Sequence, residues 1–341
     1  MCADTVVVTG ATGFIAKHII AECLNRGFAV RGTVRDYLKV AGIVKAIETT
    51  GASTANLSFA SADLTSDDQW DTAMAGAAYV IHTASPFPMQ QPNNAEDVIG
   101  PARDGTGRVM LAAHRNLVKR VVLTSSTVAV MYPPSYAREH VFTEIDFTDE
   151  ATPGLTPYIR SKTIAERTAW AFVETKLGAP ELSVINPGFV QGPALDEDLS
   201  TSHELYRLMA RGIYPAAPRI RFPVCDVRDV AAAHAEALVN PLARGQRFII
   251  ANGETGLFAL GQALAAECPD LKSKVPKFQL PDAAVRSLAV FDKRMRTILP
   301  ELGRQKLTSS AKAQTILGLS LRDGDAAIRD AIRSLRDLGL I

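Results

Sequence analysis

Tyr158 and Lys162 are the residues of this chain best placed to do chemistry, because Tyr and Lys at i and i+4 share one helix face a single turn apart. Thr156 suits the cap of that helix and Pro157 its first position, so Tyr158 falls in the opening turn. A phenol titrates at about pH 10, and an adjacent ammonium and the positive helix end both favour its phenolate. These residues predict a general acid acting on a carbonyl oxygen near neutral pH. A second cluster, Thr124-Ser125-Ser126-Thr127, ends an apolar run; a hydroxyl there can hydrogen-bond a substrate oxygen as charge develops on it.

The elements that position these groups alternate from the start. Val6-Val7-Val8 reads as a buried strand that runs through Gly10-Ala11-Thr12-Gly13 into a helix, where Phe14, Ile15, Ile19, Ile20, Cys23 and Leu24 recur at helical spacing; Gly27 closes it. Strands follow at 28–34, 57–62, 79–83, 120–124 and 182–185. Helices are expected at 37–50, 70–74, 100–117 and 156–177. This rhythm specifies an α/β fold with a doubly wound parallel (Rossmann) sheet and right-handed crossovers. Beyond 190 it breaks into Pro/Gly/Ser-rich chain with helices at 202–211, 229–239 and 323–338 and a strand at 248–251. The expected organisation is a dinucleotide-binding domain of 1–190 plus about 226–251. The remaining pieces, 191–225 and 252–341, are expected to form a smaller, discontinuous C-terminal substrate lobe.

Glycines three apart let the backbone approach a pyrophosphate seated on the helix start, with Ala16 as the third small position. The cofactor-binding candidates are therefore Gly10, Thr12, Gly13, Phe14 and Ile15. Arg35, 25 residues after Gly10, offers a planar fork to a ribose 2′-phosphate and favours NADP(H). Asp36 follows at once, so NAD(H) survives a register slip of one. Lys39 adds a second positive charge. Asp63-Leu64 ends the third strand, where a carboxylate can receive the adenine amino group. Thr83-Ala84 and Thr124 end the fourth and fifth strands beside the same site. Lys162 would also hold the nicotinamide ribose.

Composition excludes several classes. The 341 residues are 47% hydrophobic, and 37 basic against 36 acidic side chains give a net charge of +1, which asks for neither nucleic acid nor an anionic membrane. No apolar run approaches the roughly 18 residues that span a bilayer. Cys2, Cys23, Cys225 and Cys268 are scattered, so no metal site is expected. A cytoplasmic protein with a small-molecule carbonyl or alcohol substrate is the expectation. Apolar helix faces near 100–117 and 157–177 leave monomer and homodimer both open.

The chain resembles the extended short-chain dehydrogenase/reductases over nearly its whole length, and within them the dihydroflavonol reductase, cinnamoyl-CoA reductase and yeast-type aldehyde (carbonyl) reductase group. The resemblance rests on Val8-Thr9-Gly10-Ala11-Thr12-Gly13-Phe14-Ile15, Val30 to Arg35, His82-Thr83-Ala84-Ser85-Pro86, Val122 to Ser126, Tyr158 to Lys162, Asn186-Pro187-Gly188 and Asp226 to Val230. It implies a catalytic Ser126, Tyr158 and Lys162, with Pro187 and Val190 at the nicotinamide end and Arg35 at the 2′-phosphate. Pro101-Ala102-Arg103-Asp104-Gly105 replaces the Asn-x-x-Gly-Thr segment of sugar epimerases, and Met131 stands where flavonoid reductases commonly carry Asn.

The leading expectation is a reversible NADPH-dependent reduction of a ketone or aldehyde, in a pocket lined by Phe87, Pro88 and Met131, plus residues from roughly 190–225 such as Tyr206 and Met209. An NAD-retaining nucleotide-sugar epimerase or dehydratase, with Arg207, Arg211, Arg219 and Arg221 meeting a diphosphate, is the alternative. A cofactor-sensing regulator is disfavoured, because it would be expected to lose Tyr or Lys from the motif.

Overall fold

Val6, Val7 and Val8 are wholly buried because helices cover both faces of the strand they form: Val6 and Val8 join one core and Val7 the other. The computed structural model describes residues 3–85, 94–137, 139–291 and 293–341. Its strands are β1 (Thr5–Thr9), β2 (Ala29–Val34), β3 (Leu57–Ser61), β4 (Tyr79–His82), β5 (Arg120–Thr124), β6 (Glu181–Pro187), β7 (Phe189–Gln191), β8 (Ala217–Pro218), β9 (Arg221–Asp226), β10 (Gln246–Ile250), β11 (Glu254–Gly256) and β12 (Gln279–Leu280). Its helices are α1 (Phe14–Asn25), α2 (Val40–Glu48), α3 (Trp70–Met74), α4 (Glu96–Arg115), α5 (Pro157–Thr175), α6 (Thr201–Ala210), α7 (Val227–Val239), α8 (Leu257–Glu267), α9 (Asp282–Phe291), α10 (Lys293–Ile298), α11 (Ala311–Leu317) and α12 (Gly324–Asp337).

Seven strands form one parallel sheet in the order β10-β6-β5-β4-β1-β2-β3. The order reverses between β1 and β4, and the crevice beyond the carboxyl ends of those strands is where a doubly wound sheet binds its ligand. The core on one face gathers residues of α1, α2 and α7, and that on the other residues of α3, α4 and α5. α1 stops at Gly27, whose φ of +84° suits only glycine; the Gly27 and Phe28 N–H groups donate to the Leu24 and Cys23 carbonyls. α4 begins at Glu96, earlier than expected, and carries Pro101 within it. Pro101 lies in the second turn, where it removes the hydrogen bond its N–H would give the Asp97 carbonyl.

A third core joins Tyr206, Met209, Leu260, Leu264, Ile328, Ile332 and Leu335 from α6, α8 and α12. Beside it lie a three-stranded sheet, β11-β9-β7, and the β12-β8 pair, short strands that the Pro/Gly-rich sequence conceals. Ala313 and Leu317 of α11 pack instead into the core beneath α1 and α7. That stretch, expected in the second lobe, rests on the main sheet because its apolar face meets α7 and β10.

Candidate active site

Gly10 has φ of +70°, and a Cβ there would stand 3.1 Å from the Ala84 Cα, so a side chain would collide with the end of β4. The turn is bolted down by threonines. The Thr9 hydroxyl accepts from the Thr83 and Ala84 N–H groups at 3.1 and 3.0 Å, and the Thr33 hydroxyl accepts from Gly10 N–H at 3.0 Å. Gly13 caps α1 without a side-chain acceptor, which leaves the opening N–H groups of the helix at the cleft.

That cleft has a volume of about 800 Å³. It runs from Arg35, Asp36 and Lys39 past Asp63, Leu64 and Trp70 to Thr83, Ala84 and Tyr158, with Gly188, Phe189 and Val190 opposite. Of the expected cofactor residues, Gly10, Thr12, Gly13, Phe14, Ile15, Arg35, Asp63, Leu64, Thr83, Ala84, Tyr158 and Val190 line it. Arg35 is exposed, whereas the neighbouring Asp36 carboxylate accepts Leu38 N–H at 2.9 Å and so caps the short turn that follows. Asp63 accepts from Thr65 N–H and hydroxyl at 2.8 and 2.7 Å. These bonds first, and Arg35 beyond them, hold its carboxyl below the usual range. A glycine-turn cradle, an open helix start and a guanidinium at the far end fit a dinucleotide carrying a 2′-phosphate.

At the other end Thr156 accepts from Ile159 N–H at 3.3 Å, Pro157 opens α5, and Tyr158 sits in the first turn as expected. Ser126 ends the loop after β5 and hydrogen-bonds the Tyr158 phenol. Lys162 is buried one turn further along α5. The expected shift of the phenol toward phenolate is not found. Burial pushes Tyr158 up to about 12, only partly opposed by the Ser126 bond, and brings the Lys162 ammonium down to about 8. Desolvation penalises both charged forms. A neutral phenol is nonetheless the form that donates a proton.

Other expected positions lie elsewhere. The Thr124 hydroxyl meets His234 Nε2 at 2.7 Å; His234 Nδ1 already faces the Val230 carbonyl at 2.7 Å, so Thr124 donates into the core rather than toward the cleft. Pro187 is buried at the end of β6, one residue short of the lining Gly188. Met131, Tyr206 and Met209, expected to line the pocket, are sealed in cores; the Tyr206 hydroxyl donates to buried Gln191 Oε1 at 2.7 Å. Their apolar character answered to packing, not to substrate. Phe87 and Pro88 lie outside the described residues.

Within the 190–225 stretch expected at the pocket, it is the strap Asp198–Ser202, not Tyr206 or Met209, that lines the cleft, from the opposite side. It is fastened to α1 by Lys17, whose ammonium meets Asp196 at 2.5 Å, and by His18 against the Pro193 carbonyl at 3.0 Å. A serine-rich run before α6 signals a helix cap, but nothing local says that it crosses the sheet edge.

A family model described as the NAD dependent epimerase/dehydratase family matches residues 6–251. The chain belongs to that family. The epimerase/dehydratase relatives include a ketoreductase, azaE of Aspergillus niger, 32% identical over 349 residues and covering 98% of each chain. A putative NADPH-dependent methylglyoxal reductase of Candida albicans, GRP2, is 32% identical over 80% of this chain and 85% of its own. Among solved structures, yeast methylglyoxal/isovaleraldehyde reductase Gre2 complexed with NADPH superposes with a TM-score of 0.78 at 26% identity, covering 99% of this chain and 100% of its own. Epimerase chemistry on a nucleotide sugar would call on the arginines beyond 205. Of these, Arg207, Arg219 and Arg221 are paired with Glu204, Asp282 and Glu254, and neither they nor Arg211 line the cleft. Among the described residues no helix is long and apolar enough to cross a membrane, and no cluster of His, Cys, Asp or Glu could hold a metal.

Proposed function

We propose that this chain is an NADPH-dependent carbonyl reductase that converts a ketone or aldehyde to the alcohol, reversibly. The observation that carries the reading is the Ser126–Tyr158 hydrogen bond at one end of a cleft whose other end presents Arg35. The names of the relatives, a ketoreductase and methylglyoxal reductases among them, favour the same class.

Arg35 receives the 2′-phosphate, the start of α1 the pyrophosphate, Asp63 the adenine amino group, and Gly188 and Val190 the nicotinamide end. NADPH, when bound, supplies the hydride. Tyr158 donates its phenolic proton to the carbonyl oxygen, and the Ser126 hydroxyl stabilises the charge that develops there. Lys162 holds the ribose and keeps a positive charge beside the phenol as the proton leaves. Oxidation of the alcohol uses the same groups in reverse.

The test is consumption of NADPH and of NADH by the purified protein against aldehydes, aryl ketones, β-ketoesters and dihydroflavonols. NADPH-dependent turnover of at least one carbonyl class is expected. Tightly retained NAD with no NADPH consumption on any of them would overturn the reading in favour of an epimerase or dehydratase.

A further inference from the structure

Glu166 lies on α5 one turn beyond Lys162 and two beyond Tyr158, on the same stripe of the helix, and it is completely buried. Its carboxylate is saturated by donors from four elements. Ser125 Oγ and Asn186 Nδ2 donate to Oε2 at 2.6 and 2.9 Å, and Arg247 Nε and Trp170 Nε1 donate to Oε1 at 2.6 and 3.2 Å. Two of these donors also grip the loop that carries Ser126: Asn186 Nδ2 reaches the Ser126 carbonyl at 3.1 Å, and the Arg247 guanidinium reaches the Ala129 carbonyl at 3.4 Å. The loop is thus tied to Glu166 at Ser125, at Ser126 and at Ala129, on both sides of the Ser126 hydroxyl.

We propose that Glu166 is the positioning residue of the site: through Ser125, Asn186 and Arg247 it holds the Ser126 loop in register with Tyr158 on its own helix. A buried ion pair adds little net stability compared with well-packed apolar residues of the same volume. What this one supplies is a fixed distance between two reacting groups that belong to different elements, and a misplacement of about 1 Å can cost on the order of 100-fold in rate. Only an ionised carboxylate accepts on all its lone pairs; an amide would turn two N–H donors toward groups that are themselves donors.

The inference rests on the carbonyl-reductase reading, and its test separates the two. Glu166→Gln, Ser125→Ala and Ser126→Ala are compared with wild type, alone and with each of the first two combined with Ser126→Ala. Ser125→Ala removes one hydrogen bond and keeps Arg247 paired, so it decides the matter if Glu166→Gln does not fold. Ser125→Ala should lower kcat by about tenfold with NADPH affinity unchanged, and Glu166→Gln should lower it further. In the Ser126→Ala background neither should lower kcat again, because each acts through Ser126. Hydrogen exchange should quicken over residues 125–132 and not across the sheet. Losses that multiply in the double variants, kcat unchanged in Ser125→Ala, or exchange that quickens throughout the chain would each overturn the proposal. A wild type with no turnover would overturn the carbonyl-reductase reading, while the exchange measurement would still decide this one.

Discussion

At one end of the cleft Arg35, Asp36 and Lys39 stand in solvent; at the other, Ser126 and Lys162 are buried around Tyr158 behind β5 and α5. The exposed end can recognise a 2′-phosphate only by charge and geometry in water, where each contact is screened. The buried end has the opposite problem. Desolvation drives Tyr158 up and Lys162 down, so both charged forms are disfavoured and the phenol keeps its proton, as the proposed proton donor must. In the proposed reading, affinity resides where errors are cheap, and chemistry where a small displacement is costly.

The largest effect separates the two ends most sharply. Tyr158→Phe keeps the ring and its burial and removes the proton donor, so kcat for carbonyl reduction should fall on the order of 1000-fold. NADPH affinity, measured by fluorescence quenching, should stay within about twofold, because the groups that hold the phosphates lie along the rest of the cleft. Full activity in Tyr158→Phe would remove the catalytic assignment.

Arg35→Ala acts at the other end. Loss of a charge-assisted contact worth about 1.5–3 kcal/mol should raise KM for NADPH by roughly 10- to 150-fold, with kcat at saturation little changed. KM for NADH, which lacks the 2′-phosphate, should barely move. Equal loss for both cofactors would mean that Arg35 supports the strand end and reads no phosphate. The Asp36 carboxylate already caps the turn through Leu38 N–H, which favours the proposal that the arginine and not the acid meets the ribose.

The same contrast explains what the sequence makes legible. The glycine turn, the Thr156 cap, Pro157 and the Tyr158–Lys162 spacing are local rules, satisfied within a few residues, and the structure places them as the pattern implies. The parallel, doubly wound sheet follows from the βαβ rhythm. The Glu166 hub was invisible because, Trp170 on its own helix aside, its donors come from residues 125, 186 and 247, which only the tertiary fold assembles. The stretch 190–225 was legible as pocket lining, but which of its residues face the cleft was hidden for the same reason. Thr124 shows a further limit: a strand-end hydroxyl can point either way, and here His234 from α7 captures it.

Tyr206 gives the smallest effect on turnover and tests where the substrate end stops. Its ring lies wholly inside the core of α6, α8 and α12, and its hydroxyl is the donor to a completely buried Gln191 side chain. Tyr206→Phe leaves the ring volume intact and orphans the Gln191 acceptor, a loss of about 1–3 kcal/mol of stability. Thermal denaturation should register it as a drop of a few degrees in Tm, while kcat and KM for both substrates hold at the wild-type values. The opposite pattern, an unchanged Tm with an altered carbonyl KM, would mean that the phenol reaches substrate. The cleft would then extend past Val190 into the third core, and recognition would depend on buried polar groups at both of its walls.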